Sequence, residues 1–499
     1  MIALRTARHW WLLGLLIGYG GWSPVEAGDG AAHLQGEFWR SQALEQLVPL
    51  WYDHVRDPER KVYYTNLTRD WCPEAPYDLY PAMISRHVFS FSAAYLMSGD
   101  DRYLTAAREG VDYLLAHAWD QEYGGWYDQL AADGSPAAAT KTVAYQLYTD
   151  VGLTEYYLVT GDEQVLSHLR RSLQIRQTKA KDEQFGGYAQ MLNRDLSVAD
   201  YGKNKHAHYG YVSSLLLNLY LATRDPGVLA YERELTDLSL EHQVDPTEGW
   251  IYGFGSTFDR QWRRTPRVVD GIEYASSGAQ LTAVLSFLRL YHQTGEPRYL
   301  EQGRRLGDQV TRYAWDRVHG AWVDPIRAQS PHTPATDATV SWWIQIYGAF
   351  LQLQLYHLTG EPAYLDCFRK SEEFFLTHMI DQVHGGVFAN VSPRGELLDE
   401  GKKAMPWHTS YHEIEHDLLN YLYLNLYVNH QPVVLYFRLD GGAKGREHFV
   451  SPVDDPKVQV AGVRLNGAPW AAFDAVRRSV SLPAGQGLRL EVTLIPAPR

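Results

Sequence analysis

Tyr291-His-Gln-Thr-Gly-Glu-Pro-Arg-Tyr-Leu300 reads as the end of one helix, a tight turn and the start of another. Gly295 suits the left-handed cap that residues with a Cβ resist. Glu296 follows where a carboxylate meets unpaired amides and the positive end of the helix dipole, and Pro297 suits a first helical turn. The same phrase recurs as Tyr95…Leu104, Tyr157…Leu166, Tyr220…Leu229 and Tyr356…Leu365. Successive first tyrosines are 62, 63, 71 and 65 residues apart, and a degenerate copy begins at Tyr427. A fixed long period is the mark of a repeat architecture, in which each unit buries its apolar face against its neighbours.

A second phrase alternates with the first: Gly124-Gly-Trp-Tyr, Gly186-Gly-Tyr-Ala, Gly249-Trp-Ile-Tyr, Gly320-Ala-Trp-Val and Gly385-Gly-Val-Phe. Glycine followed by aromatic and β-branched residues predicts short strands or hairpins at the opposite end of each unit. Helices such as 212–221 and 350–358 are apolar around most of their circumference and need neighbours on several sides. Six helical hairpins closed into an (α/α)6 toroid satisfy both demands, over residues 28–430. From about Gln431 the pattern changes to period two, as in Val433-Val-Leu-Tyr-Phe-Arg-Leu439 and Leu488-Arg-Leu-Glu-Val-Thr-Leu494. Residues 431–499 are therefore expected to form a small all-β, sandwich-like accessory domain.

Arg5, Arg8, an apolar run from Trp10 to about Tyr19 and Val25-Glu-Ala27 have the anatomy of a signal peptide over residues 1–27. The run is shorter than the ~20 residues a membrane span needs. The expected product is a secreted or periplasmic protein with no stable membrane insertion. A net charge of −13 argues against nucleic acid, which demands a concentrated basic face. Sixteen Trp and 34 Tyr supply flat amphipathic rings that both pack cores and stack on sugars, pointing to a mono- or oligosaccharide partner. Two cysteines, Cys72 and Cys367, make no disulfide scaffold. Nothing in the sequence fixes the oligomeric state.

In a closed toroid the natural pocket is the cavity at the loop-rich end, so polar and aromatic residues at the starts of inner helices are the candidates. Four segments qualify: Ser85-Arg86-His87; Tyr201-Gly-Lys-Asn204-Lys-His206-Ala-His208; Trp342-Trp343-Ile-Gln-Ile-Tyr347; and Trp407-His408-Thr-Ser-Tyr411-His412-Glu413-Ile-Glu415-His416. The spacing of His408, His412 and His416 imitates a metal ladder. Pro406 starts the helix too late to include His408, and no matching third-ligand signature appears, so no metal is expected.

With these segments on the page, the chain resembles the N-acylglucosamine 2-epimerase superfamily, which includes cellobiose 2-epimerases and mannose isomerases, over about residues 35–430. The resemblance implies a cofactor-free site in which two histidines exchange a proton beside the carbonyl of a reducing sugar. It implies His412 as one base, and Arg86, Asn204, His206, Trp342, Trp343 and Trp407 as lining residues. His208, Tyr347 and Tyr411 join the candidate substrate contacts. The chain departs from the family where Gly-His-x-x-Glu is expected, reading Gly278-Ala279-Gln-Leu-Thr282. Tyr347 stands in place of a glutamate and Glu415 in place of an arginine. His206 is then the candidate for the second base. A lyase using a Tyr or His base, a hydrolase drawing on Glu413, Glu415 or Asp417, and a sugar-binding protein without catalysis are the alternatives.

Overall fold

The computed structural model describes residues 32–75, 77–203, 208, 215–252, 257–266 and 268–496. The candidate signal peptide and the candidates Asn204 and His206 lie outside the described residues.

Inner helices Pro81–Ser98, Val143–Thr160, Leu215–Thr223, Ser277–Thr294, Trp342–Thr359 and Tyr411–Tyr423 surround one axis. The first five are followed by outer partners beginning at Asp101, Glu163, Pro226, Pro297 and Pro362. Inner helices are buried on nearly every side, and the first has only Ser98 outside the core. Outer helices bury one stripe, as Pro297–Ala314 does with Tyr299, Gly303, Leu306, Gly307, Val310 and Ala314. Contact between the first two inner helices is close enough that a Cβ on Gly152 would lie 1.8 Å from the Ser85 carbonyl oxygen. Among the described residues, no helix is long and apolar enough to cross a membrane.

The capping phrases fold as their residues dictate. Gly99, Gly161, Gly295 and Gly360 take φ of 62–71°, and Arg224 accepts the same strained hand at 54° where the third copy lacks glycine. Asp100, Asp162 and Asp225 cap the following helices through their carboxylates. Glu296 and Glu361 do not, a departure from the sequence expectation. Their amides donate to Thr294 Oγ1 and Thr359 Oγ1, as those of the three aspartates do to Ser98, Thr160 and Thr223. At the other end the glycine phrases form the expected bridges, Trp119 with Trp126, Lys181 with Tyr188, and Ile380 with Val387. Buried ion pairs pin these loops: Lys141–Asp120 at 3.0 Å, Lys203–Asp182 at 2.9 Å and Lys403–Asp381 at 2.8 Å.

The ring closes in a way the repeat phrase did not reveal. Tyr427 is not the turn into a sixth outer helix. The sixth inner helix continues as a π-turn over Leu424–Asn429, and its outer partner is the helical run 36–54 from the other end of the chain. Trp51 Nε1 donates to Glu413 at 2.9 Å, Trp39 lies edge-on to His416 at 4.7 Å, and Asn429 donates to the Leu34 carbonyl.

The C-terminal strands form two antiparallel sheets. One orders Val433–Leu439, Leu488–Ile495, Gln459–Leu465 and Ala468–Pro469; the other orders Arg446–Phe449, Ser479–Leu482 and Phe473–Asp474. Val433 to Leu439 pair with Leu494 to Leu488, so alternate residues of both strands enter one core. The sheets sit against the turn end of the ring. His448 bonds the Leu158 carbonyl at 2.8 Å, and Arg289 of the fourth inner helix pairs with Asp454 of the loop between strands. Cys72 is exposed and Cys367 buried, and they do not pair.

Candidate active site

The segment before the sixth inner helix is bent by Pro406 and by Trp407, whose φ of 77° is in the left-handed region a tryptophan rarely enters. The surroundings hold it there. Arg86 Nη1 donates to the Trp407 carbonyl at 2.9 Å, and the Trp407 ring meets Tyr145 at 5.0 Å and Tyr148 at 6.0 Å. The Arg86 guanidinium also lies over the Tyr148 and Tyr411 rings at 5.3 and 5.6 Å. Trp407 stays 36% exposed, which leaves an aromatic face for a ligand.

The helix begins at Tyr411 and puts His412 in its first turn, 2% exposed. Trp342, Trp343, Tyr347 and Tyr411 surround the imidazole with ring centroids 4.7–6.3 Å away. Its Nδ1 lies 3.4 Å from Glu415 Oε2, one turn on. Glu415 in turn accepts Tyr347 O–H at 3.0 Å on Oε2 and Tyr411 O–H at 2.9 Å on Oε1. The two places where the sequence departs from the expected glutamate and arginine thus touch each other. Burial lowers the His412 pKa to about 4 against the opposing pull of Glu415, so the ring is neutral at neutral pH.

Below this group a cavity of about 40 Å³ is bounded by Glu155, Glu415, Tyr347, Arg289 and Asp454. Burial, reinforced by the charge of Glu415, raises the Glu155 pKa to about 8 and keeps that carboxyl protonated at neutral pH. Sequence reasoning missed Glu155, although an acid inside an inner helix that is apolar all round is a readable signal.

The other candidates divide. Trp342, Trp343, Tyr347, Tyr411 and His412 form one cluster, joined to Arg86 and Trp407 through Tyr411. His208 stands apart from it. Its Nε2 accepts the Tyr188 amide at 3.1 Å, and the residue is fully buried. Gln146, Gln280 and Gln345 make the same bond to Trp126, Ile251 and Trp322 at 2.7–2.8 Å. His208, expected as a substrate contact, has an acceptor nitrogen that does in the third unit what a glutamine amide oxygen does in the second, fourth and fifth.

His408, His412 and His416 do not converge. His408 approaches Glu413, His412 approaches Glu415, and His416 bonds Glu372 at 2.9 Å beside Asp417. Glu413 and Asp417, offered for hydrolysis, are engaged by Trp51 and His416. In the fourth unit Ala279 is buried and Thr282 bonds carbonyls of its own helix, so alanine and threonine leave no unmatched polar group where the family has His and Glu. A Cβ on Gly278 would lie 2.1 Å from Trp343, which fixes how closely that indole can lean on the fourth helix.

The model of the N-acylglucosamine 2-epimerase family matches residues 63–415. The chain belongs to this family. It is 24% identical to a cellobiose 2-epimerase of Bacteroides fragilis over 389 residues, 75% of this chain and 95% of the relative. It is 22% identical to a D-mannose isomerase of Marinomonas mediterranea over 378 residues, covering 72% and 90%. The solved structure of cellobiose 2-epimerase from Spirochaeta thermophila superposes with a TM-score of 0.69 at 22% identity, over 78% of this chain and 96% of that one. The match places this family member in the (α/α)6 toroid class. The family model ends at residue 415, before the C-terminal sheets.

Proposed function

We propose that this family member is a sugar isomerase in which His412 removes the proton from the carbon beside the carbonyl of a reducing mono- or oligosaccharide. The observation that carries the reading is the His412–Glu415–Tyr347–Tyr411 group, a buried neutral imidazole backed by a hydrogen-bonded carboxylate. In the proposed step the C–H bond breaks, the proton passes to His412 Nε2, and the electron pair enters an enediolate. Glu415, 3.4 Å from His412 Nδ1, stabilises the imidazolium that forms. Trp407, Trp342 and Trp343 supply faces for the sugar ring.

One base can carry a proton between neighbouring carbons on one face, giving a ketose. Inversion at C2 needs a second group on the opposite face. Ala279 offers no base there, which favours ketose formation; the similarity to cellobiose 2-epimerases keeps inversion as the second reading, with His206 as its second base. Incubating glucose, mannose and cellobiose with the protein in D₂O, followed by NMR, tests both. Ketose, with deuterium at its C1 where His412 exchanges its proton with solvent, supports the first reading, and the C2 epimer with deuterium at C2 supports the second. Absence of exchange, ketose and epimer with every reducing sugar overturns both. The basic and apolar start of the chain supports export with removal of residues 1–27, for which N-terminal sequencing of the exported protein would read Gly28 first.

A further inference from the structure

At the turn end of the ring, far along the inner helices from His412, two histidines occupy the same place in the repeated phrase. His292 follows Tyr291 and His357 follows Tyr356, where the first three units carry the buried leucines Leu96, Leu158 and Leu221. Histidine replaces leucine in the two adjacent units that meet the β region's loop at Asp455. His357 Nε2 lies 3.2 Å from Asp455 Oδ2, and ligand atoms of all three side chains fall within 4.8 Å of one another.

The environment fits a metal better than a hydrogen-bond network. The His292 and His357 rings stack at 5.3 Å and 16°, so they do not bond each other, and Tyr427 stacks on His357 at 3.5 Å. His292 Nε2 is buried without a hydrogen-bond partner, a costly state for a ring nitrogen unless a Lewis acid takes its lone pair. The cations nearby are otherwise engaged: Arg289 pairs with Asp454, and Arg478 Nη1 donates to the Val453 and Asp455 carbonyls at 2.8 Å. Backbone support orients the acid, since Asp455 Oδ1 accepts the Lys457 amide at 2.9 Å.

We propose that His292, His357 and Asp455 form a divalent metal site, suited to zinc, that clips the C-terminal β region to the fourth and fifth inner helices. Two imidazoles and a carboxylate are a zinc ligand set, with water completing the tetrahedron. Zinc bonds of about 2.0–2.1 Å set ligand atoms roughly 3.4 Å apart, so small rotations close the site.

The test uses untagged full-length protein stripped with EDTA, titrated with zinc chloride against a chromophoric chelator, and followed by thermal unfolding. The expected result is one zinc per chain and a rise of a few degrees in Tm. His292→Gln and Asp455→Asn should each weaken binding at least tenfold and abolish the rise, with unchanged circular dichroism before zinc is added. His412→Asn should bind zinc as the parent does. Absence of binding, unchanged binding in His292→Gln, or binding lost in His412→Asn would each overturn the proposal.

Discussion

His412 is a base whose readiness comes from its surroundings. Its ordinary pKa of about 6.5 is lowered to about 4 by burial, so it is neutral throughout the mildly acidic range. Two consequences follow with definite signs. For activity, kcat/KM should fall on the acid side near pH 4, and a drop near pH 6.5 in the pH–rate profile would contradict the assignment. For stability, a lowered folded pKa means the unfolded chain binds the proton more readily. The contribution from His412 is complete above about pH 6.5 and is lost as pH falls towards 4. Thermal unfolding should therefore show a smaller acid decline in His412→Asn than in the parent, while that variant loses activity by about 10²- to 10⁴-fold.

At the scale of elements, the repeat separates machinery from scaffold. Gln146, Gln280, Gln345 and His208 receive equivalent loop amides, so His208→Gln should leave activity within about twofold of the parent and stability within about 1 kcal/mol. Steady-state kinetics and urea denaturation of that variant check it; a rate loss of 10²-fold or more would give His208 a part in the reaction. The same comparison shows what the sequence made legible. Periodic glycines and Asp or Pro starts located the turns, because backbone conformation at those points depends on the residue itself. The aromatic cluster round His412 was legible from helix starts. The role of His208 was not, since helix-start polarity describes a scaffold acceptor and a ligand contact equally well. The pairing of Glu415 with Tyr347 joins residues 68 apart in sequence, and only the packing of two inner helices brings them together.

Across the whole molecule, the β region does more than follow the ring. Asp454 and Arg289 meet at the floor of the cavity under Glu415, and both are buried. Removing the acid strands a guanidinium away from water, so Asp454→Ala should lower stability by about 3–5 kcal/mol. Urea denaturation followed by tryptophan fluorescence measures this, and a change below about 1 kcal/mol would mean water reaches Arg289.

The helical run 36–54 is made early on the ribosome but finds its partner only in residues 411–429. Until those emerge, Trp39 lacks His416 and Trp51, already against Trp71 and His87, lacks Glu413, and five hairpins must wait as an open arc. Sealing the ring is a late event tied to completion of the chain, with a loop of more than 350 residues to close. Nascent chains halted short of residue 411 should hold compact hairpins yet remain sticky at both ends of the arc, a state in which a chaperone has most to do.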